Sequence, residues 1–197
     1  MDRSNKPIVL VFAGPNGSGK TTVARVLPVF GTYVNADDLK AEYNLTDLEA
    51  AQQAELLRNA LVKSKANFSF ETVMSTERNL ILLEKAKTLG YEVHCIYVLT
   101  CDENINVARV KARQAAGGHD VPEDKIRVRY HRALGLIPRL MDVCDKMLIY
   151  ENSVAPTLIF CKEKAHIAAL PNELWSNEML QQLLGSVAND MWMLQED

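Results

Sequence analysis

A single segment near the start of the chain has the residue types and the spacing of a phosphate-binding loop. It contains Gly14, Pro15, Asn16, Gly17, Ser18, Gly19, Lys20, Thr21 and Thr22. An apolar run precedes it and a helical pattern follows it, so loop N–H groups and a helix N-terminus can surround phosphate oxygens. We expect the segment to bind ATP, with Lys20 neutralising the β and γ phosphates and Thr21 ligating Mg²⁺. The alternative, a chance glycine turn, is disfavoured by the flanking strand and helix.

A phosphate-binding loop does not by itself distinguish a kinase from a switch GTPase or a motor ATPase. A GTPase should carry a guanine-recognition motif of the type Asn-Lys-x-Asp late in the chain. A motor should carry a strand of four apolar residues that ends in Asp. Neither pattern is clear in this sequence, so the second substrate must be inferred from other residues.

Two adjacent carboxylates stand where a second strand should end. We interpret the run Tyr33–Asp38 as a strand that brings Asp37 and Asp38 to its carboxyl end, the edge at which doubly wound sheets bind ligands. A carboxylate there can accept the proton of an acceptor hydroxyl group that attacks the γ-phosphate. Either residue could instead cap the next helix. We predict one residue in each role, with Asp37 as the catalytic base beside the acceptor.

The third predicted strand, Asn67–Glu71, also ends in an acidic residue. Glu71 could hold the acceptor or orient Mg²⁺ through a water molecule. A carboxylate at the end of a strand could equally be an exposed turn residue. Its position therefore adds to the other observations but does not define a site alone.

Arginines are concentrated in a later segment. Arg109 and Arg113 are one helical turn apart and share a helix face, and Gly117, Gly118 and His119 follow them. A second basic helix then carries Arg127, Arg129 and Arg132. We interpret residues 109–132 (the lid segment) as two helices joined by a flexible glycine pair, which close over the transferring phosphate and exclude water. Arg109 and His119 are predicted to contact the substrate, and the alternative is a solvated basic helix pair.

The composition disfavours several other classes of protein. The chain has 197 residues, 48% of them hydrophobic and 24% charged, as expected for one globular domain. Its net charge of −3 implies no broad basic face for nucleic acid or anionic membranes. The apolar run Ile8–Ala13 is too short to span a bilayer and lacks the flanks of a signal peptide. The four cysteines form no CxxC pair, so we expect reduced thiols in a cytoplasmic protein rather than a redox or metal site.

Short apolar runs alternate with helical patterns along most of the chain. This alternation predicts a single α/β domain, a three-layer sandwich whose mostly parallel sheet has about five strands. The predicted strands are Ile8–Ala13, Tyr33–Asn35, Asn67–Glu71, Glu92–Leu99 and Lys146–Tyr150. Capping-box patterns predict helix starts at Thr46, Thr100 and Asp120, the last helix running to about Val143.

The pattern changes after Tyr150. Thr157–Lys162 and His166–Ala169 are predicted to form an antiparallel hairpin on the edge of the sheet. A helix with an apolar stripe then follows. The stripe consists of Leu180, Leu183, Leu184, Val187 and Met191. We expect this helix to pack on its own domain, the alternative being a helix that binds a partner.

Taken together, these residues resemble the zeta-toxin family of small P-loop kinases, and within it a compact bacterial branch of predicted ATPases. The matching stretches are GPNGSGKTT at Gly14–Thr22, NADDL at Asn35–Leu39, ETVMS at Glu71–Ser75, RVKARQAAGGHDVPEDKI at Arg109–Ile126 and YENS at Tyr150–Ser153. The resemblance implies a fold similar to those of nucleoside-monophosphate and shikimate kinases. It also implies phosphorylation of a sugar hydroxyl group of UDP-N-acetylglucosamine.

The resemblance further implies a role for particular residues. These are Lys20 on the phosphates, Asp37 as the base, Glu71 and Thr72 near the acceptor, and one arginine from each lid helix, matched to Arg113 and Arg129. The expected function is therefore transfer of the γ-phosphoryl group of ATP to a hydroxyl group of a small molecule, with a nucleotide sugar favoured. Another metabolite or an antibiotic as acceptor, and a non-enzymatic ATP-dependent switch, stay open. An antitoxin protein is a partner that the sequence neither requires nor excludes.

Overall fold

The computed structural model of the chain describes residues 6–118, 120–164 and 166–185. Within these residues the strands are β1 (Ile8–Ala13), β2 (Thr32–Val34), β3 (Phe68–Thr72), β4 (Glu92–Leu99), β5 (Lys146–Glu151), β6 (Thr157–Glu163) and β7 (His166–Ala169). They form one sheet in the order β2-β3-β1-β4-β5-β6-β7. The pairs from β2 to β5 are parallel, and β6 and β7 are added antiparallel. The described sheet thus has seven strands rather than about five, because the predicted hairpin continues the sheet.

Helices connect the strands in the alternating manner that the sequence predicts. In the described residues they are α1 (Lys20–Val26), α2 (Ala36–Tyr43), α3 (Asp47–Lys63), α4 (Glu77–Thr88), α5 (Glu103–Ala115), α6 (Glu123–Gly135), α7 (Ile137–Val143) and α8 (Asn177–Leu184). None of the helices in this part of the chain is both long enough and apolar enough to cross a membrane.

The central strand β1 is buried on both faces, and its alternate side chains enter two different cores. Leu10 and Phe12 pack with Val23 and Ala24 of α1 on one face of the sheet. The opposite side chains of β1 join a larger core to which α4, α7 and α8 contribute. Two buried faces explain why a parallel strand has an uninterrupted apolar sequence. The predicted α/β sandwich with helices on both sides of the sheet is confirmed.

Helix α8 packs on its own domain through the described part of its apolar stripe. Leu180, Leu183 and Leu184 are buried in the larger core. Val187 and Met191, which the sequence assigns to the same stripe, lie outside the described residues. The four cysteines are free thiols, two of them on strands β4 and β6.

One predicted helix start is confirmed and two are wrong. Thr46 and Glu49 form the reciprocal capping box at the start of α3. At α5 the capping side chain is Asp102, which accepts from the backbone N–H of Asn104. Thr100 is instead fully buried and donates to the side-chain oxygen of Asn106. A threonine that finds a buried partner is not available to cap a helix.

The helix predicted from Asp120 to Val143 is two helices. Pro122 occupies the cap position of α6 without any side-chain hydrogen bond, so no capping box forms there. Helix α6 ends at Gly135. Leu136 is the N-cap residue of the next helix, α7, which has a proline in its first turn. Proline is tolerated there because backbone N–H groups in the first turn of a helix make no hydrogen bond within the helix, so a residue without an N–H loses none.

Helices α5 and α6 are joined by their own apolar contacts and ion pairs. Val107, Val110, Val121 and Ile126 form a small apolar cluster, separate from the two cores on the sheet. Arg127 of α6 binds the α5 side chains of Glu103 at 2.8 Å and Asn104 at 2.9 Å, and also its own neighbour Glu123. The two lid helices are therefore linked to each other independently of the sheet.

Candidate functional site

The phosphate-binding loop connects β1 to α1 and has a backbone that needs glycine at two crowded positions. Gly14 has a φ of +139°, and a Cβ atom there would lie 1.9 Å from the carbonyl oxygen of Val98. Gly19, the cap residue of α1, has a φ of +95°, and its Cβ would lie 2.2 Å from Nδ2 of Asn152. A side chain at Gly14 would displace the backbone of β4, and one at Gly19 would displace the side chain of Asn152. The loop therefore packs closely against β4 and the segment after β5.

Two buried asparagines from distant parts of the chain hold this loop. Asn106 of α5 is fully buried, and its Nδ2 donates to the carbonyl oxygen of Asn16 at 2.5 Å. Asn152, which follows β5, donates from Nδ2 to the carbonyl oxygen of Ser18 at 2.7 Å. The sequence indicated Asn152 only as part of the stretch YENS and gave no signal for Asn106. A side-chain amide that satisfies a backbone carbonyl 90 or 134 residues away cannot be recognised before the fold is known.

Lys20 lies near several of the charged residues that the sequence predicts for the site. Its Nζ donates to the carbonyl oxygen of Pro15 at 2.8 Å. The pKa of Lys20 is lowered to about 8, mainly by burial and also by the positive charge of Arg113, although Glu71 and Asp37 act to raise it. The structure thus brings Lys20, Glu71, Arg113 and Asp37 close enough for their charges to interact.

Glu71 is held by two hydroxyl groups at the end of β3. Thr21 donates from Oγ1 to Oε2 of Glu71 at 3.0 Å, and the phenol of Tyr33 donates to Oε1. Burial and the contact with Glu71 raise the pKa of Tyr33 above its ordinary value, which keeps the phenol protonated as a donor. Sequence reasoning included Tyr33 in a strand but missed this role. Tyr33 pairs with Ser69, two residues before Glu71, and only the folded sheet reveals this register.

Oxygen ligands suitable for Mg²⁺ are present at the same place. The Thr21 hydroxyl and the Glu71 carboxylate are hard oxygen ligands that lie within hydrogen-bonding distance of each other. No cluster of three or more His, Cys, Asp or Glu side chains suited to a metal occurs in the described residues. This donor set fits a Mg²⁺ ion that takes most of its ligands from phosphate and water, as is usual in phosphoryl-transfer sites.

The prediction that Asp37 or Asp38 caps a helix is wrong. The cap of α2 is Asn35, whose side chain accepts from the backbone N–H of Asp37 at 2.9 Å. Both aspartates lie in the exposed first turn of α2, just beyond the end of β2. Asparagine at this position satisfies the free N–H groups at the helix start, so neither carboxylate is needed there.

Asp37 and Arg129 line one cavity of about 320 Å³ between α2, the start of α3 and the lid segment. Lys40 and Lys125 also line it, whereas Asp38 does not. Arg129 and Lys125 are four residues apart on α6 and so share a face of that helix. The lining also includes Asp47 and Asp120, so the cavity combines three carboxylates with three cationic groups, and it has the size of a small-molecule site.

The acceptor role predicted for Thr72 is not evident in its contacts. Its Oγ1 accepts from the backbone N–H of Met74 at 3.1 Å and from Nδ2 of Asn79 at 2.7 Å. Met74 has a φ of +53°, so the hydroxyl stabilises a tight turn after β3. Thr72 follows Glu71 directly, but its hydroxyl oxygen already accepts two hydrogen bonds from the residues of and after that turn.

The lid arginines separate into different positions. Arg109 donates from Nη2 to the carbonyl oxygen of Ser153 at 2.9 Å, on the side of the phosphate-binding loop and outside the cavity of Asp37. Arg113 lies at the exposed end of α5 and acts on Lys20 through its charge. Arg127 is occupied by Glu103 and Glu123. Arg129 is thus the α6 arginine of this set that faces the cavity.

The glycine pair is a helix stop rather than a loose joint. The N–H of Gly118 bonds to the carbonyl oxygen of Arg113 at 3.0 Å, and that of Gly117 to Gln114 at 2.9 Å. Gly117 has a φ of +83°, and together these bonds form a Schellman motif. The predicted flexible pair is therefore corrected to an ordered helix end. His119, predicted to contact substrate, lies outside the described residues.

Comparison with known proteins identifies the family of this chain. The family model described as "Zeta toxin" matches residues 26–154, well over half of the chain. The chain belongs to the zeta toxin family. A protein of Haemophilus influenzae, described as uncharacterised, is 30% identical over 127 residues, which cover 61% of this family member and 91% of the relative.

Solved structures show the same fold as this zeta toxin family member. A chain of the AvrRxo1-ORF1:AvrRxo1-ORF2 complex with sulphate ions has a TM-score of 0.68 at 12% identity, and the match covers 92% of this chain and 65% of that one. The same complex with ATP has a TM-score of 0.61 at 13% identity over 92% and 64% of the two chains. A chain of the PezAT toxin-antitoxin system of Streptococcus pneumoniae has a TM-score of 0.55 at 17% identity over 98% and 86%. This chain therefore spans just under two thirds of the AvrRxo1 chain.

Proposed function

We propose that this zeta toxin family member is an ATP-dependent kinase that transfers the γ-phosphoryl group to a hydroxyl group of a small molecule. The observation that carries the proposal is the convergence of Lys20, Glu71, Arg113 and Asp37 beside the phosphate-binding loop. Such a set supplies a phosphate anchor, a metal-orienting acid, a lid cation and a base. A binding protein would need the loop but not a carboxylate across from Lys20 that can accept a proton.

The phosphate side of the proposed site is built largely from the loop. Loop N–H groups and the start of α1 would hold the phosphates of ATP, and Lys20 would neutralise the charge of the β and γ phosphates. Thr21 and Glu71 would hold Mg²⁺, which when bound would supply further positive charge to the phosphates. The Tyr33 phenol fixes the Glu71 carboxylate in a position where it also meets Thr21.

In the transfer step, Asp37 accepts the proton of the acceptor hydroxyl group. The acceptor oxygen forms a bond to the γ-phosphorus, its proton passes to the Asp37 carboxylate, and the bond between the γ-phosphorus and the β–γ bridging oxygen breaks. ADP leaves with the electron pair of that bond. Arg129, which shares the cavity with Asp37, and Arg113 would stabilise the charge on the transferring group when the lid segment closes.

Relatives and the cavity support a choice of acceptor and of partner. A cavity of about 320 Å³ suits the sugar portion of a larger molecule, and the zeta-toxin resemblance favours UDP-N-acetylglucosamine. The AvrRxo1 complex has been solved with ATP, which supports ATP as the phosphoryl donor. The PezAT relative belongs to a toxin-antitoxin system, and on that ground we propose an antitoxin protein as a partner.

The decisive experiment compares Asp37→Asn with Asp38→Asn. Asp37→Asn keeps the shape of the side chain and removes its basicity, so phosphoryl transfer should fall by roughly 10²–10⁴-fold. ATP affinity should change little, because the base contacts the acceptor rather than the nucleotide. Asp38→Asn is the matched control, since it lies on the same exposed turn but outside the cavity, and it should transfer at close to the wild-type rate.

The measurement is formation of a phosphorylated product, followed by mass spectrometry, beside ADP release and nucleotide binding. UDP-N-acetylglucosamine is the first acceptor, and a metabolite extract supplies the others. ADP release that does not depend on any acceptor would favour a switch protein over a kinase. Equal transfer by both variants and the wild type would exclude Asp37 as the base.

A further inference from the structure

A second cavity, lined by six polar residues together with Ile81 and Leu82, lies between α3 and α4, apart from the site around Lys20. Its volume is about 240 Å³, and it shares no lining residue with the cavity of Asp37 and Arg129. Its polar lining consists of Glu55, Arg58, Asn59, Arg78, Asn79 and Lys85. No step of the proposed phosphoryl transfer uses these side chains.

Arg58 is an unusual member of this lining because it is an almost completely buried cation. Only 7% of its surface is exposed, and its guanidinium stacks over the ring of Phe70 at 5.2 Å. Its Nε is buried and finds no hydrogen-bond partner among the described residues. Burial lowers the pKa of Arg58 below its ordinary value, which reflects the same lack of solvation. An unpaired buried donor on a charged group is costly to a folded protein.

The charges around Arg58 are complementary to a doubly charged anion. Three cations, Arg58, Arg78 and Lys85, line the cavity with a single carboxylate, Glu55. That carboxylate is already paired with Arg78 at 3.3 Å. The cations exceed the carboxylate by two charges, and the side-chain amides of Asn59 and Asn79 add uncharged donors beside them.

We propose that this cavity is a binding site for the phosphate group of a small molecule, with Arg58 as its buried anchor. The phosphate would accept hydrogen bonds from the guanidinium groups, which suit phosphate oxygens because of their planar, multiple donors. The site does not depend on phosphoryl transfer at Lys20. Asn79 lines it and donates to Thr72 at 2.7 Å, next to Glu71, so a ligand here would lie one hydrogen bond from the turn after β3.

The test is a titration with inorganic phosphate, read as the midpoint of thermal unfolding. Because the loop around Lys20 also suits phosphate, every protein in the series carries Lys20→Ala. Arg58→Met, added to this parent, keeps the length and the apolar stem but removes all donors. Lys63→Met is the matched control, since it removes one positive charge from an exposed position on the same helix. Phosphate also stabilises proteins non-specifically, and the comparison of the two variants cancels that effect.

Phosphate at ten times its dissociation constant should raise the midpoint of the parent by roughly 3–5 °C. The control should show the same rise, and Arg58→Met should lose it, with phosphate binding at least about tenfold weaker. Without phosphate, Arg58→Met should unfold at the same temperature as the parent or higher, because a buried cation whose Nε has no partner among the described residues has been replaced by an apolar side chain. Equal phosphate responses in Arg58→Met and the control would overturn the proposal, as would no response in the parent.

A second variant keeps the test decisive if Arg58→Met does not fold. Arg78 has a side chain that is 67% exposed at the mouth of the cavity, so Arg78→Met should fold normally. It should weaken phosphate binding by several-fold. An undiminished phosphate response in Arg78→Met would place the bound anion elsewhere.

Discussion

The two halves of the proposed active site are built in different ways. The phosphate half consists mainly of backbone groups, held by the buried side chains of Asn106 and Asn152. The acceptor half consists of exposed or half-exposed helical side chains, with Asp37 in the first turn of α2 and Arg129 in the middle of α6 lining the same cavity. One half is fixed before any ligand arrives, whereas the other depends on the relative position of two helices.

This difference suits the two ligands. Phosphates have the same shape in every nucleotide, so a rigid cradle of N–H groups can be formed in advance. An acceptor must enter, be enclosed and leave, which requires side chains on elements that can move. We therefore expect substitutions in the phosphate half to affect ATP binding and those in the acceptor half to affect the rate.

The largest effect is expected for Lys20→Ala in the phosphate half. Loss of the ammonium group leaves phosphate charge uncompensated in the loop, so turnover should fall by roughly 10²–10³-fold or more and ATP should bind more weakly. The fold should survive, because the only hydrogen bond that Lys20 is seen to make within the described residues is to the carbonyl oxygen of Pro15. Steady-state kinetics and nucleotide binding measure the effect, and full activity in this variant would remove Lys20 from the mechanism.

The same lysine should make ATP binding depend on pH. Its pKa of about 8 lies below the ordinary value of 10.5, so the protein loses this proton as the pH rises through about 8. If ATP binding needs the ammonium form of Lys20, the affinity for ATP should be at its full value well below pH 8. Above pH 8 the affinity should fall by up to about tenfold per pH unit. A titration of ATP affinity between pH 7 and 9.5 measures this, with Lys20→Ala as the control that should show no such decline.

A somewhat smaller effect is expected for Arg113→Ala and Arg129→Ala in the acceptor half. Each should lower the catalytic rate by about 10²-fold while changing ATP affinity less, because their charge matters most during transfer. Arg127→Ala is the matched control on the same helix as Arg129, since its guanidinium is already paired with Glu103 and Glu123. If all three variants turned over at the wild-type rate, the helix pair would be a solvated basic surface instead of a lid.

The smallest effect is expected for Asn152→Ala, which tests whether the phosphate half is indeed held in advance. Removal of the amide leaves the carbonyl oxygen of Ser18 without its partner, at a cost of about 1–3 kcal/mol in the free energy of unfolding. ATP affinity should fall by about tenfold, with little change in rate at saturating ATP. Asn177→Ala, at an exposed position in the first turn of α8, is the control. A loss of rate without a loss of affinity would contradict the division between the two halves.

The sequence predicted the phosphate half far better than the acceptor half, and the reason is physical. The residues Gly14–Thr22 follow one another in the chain, so their spacing alone indicates the loop. The capping box at Thr46 is equally local and was confirmed. By contrast, Asn106 and Asn152 act through contacts that only the folded sheet creates.

Errors arose where a residue had two possible partners. Thr100 has the spacing of a helix cap, yet it bonds to the buried Asn106 while Asp102 takes the cap. Asp37 and Asp38 have the residue type of a cap, yet Asn35 precedes them and fills that role. The local pattern shows which hydrogen bonds a side chain can make. Which of them it makes depends on the other groups that the fold places beside it.

The separate apolar cluster of α5 and α6 has a mechanical consequence. Val107, Val110, Val121 and Ile126 bury one another without drawing on either core of the sheet, and Arg127 fastens the two helices together. If α5 and α6 moved together, these four side chains would stay covered, so their hydrophobic free energy would not oppose the movement. Other contacts of α6 would oppose it, because Leu134 packs against the larger core and the Tyr130 hydroxyl donates to the carbonyl oxygen of Thr100. Asn106 of α5 also contacts the phosphate-binding loop, so a movement of α5 would also displace the cradle for the nucleotide.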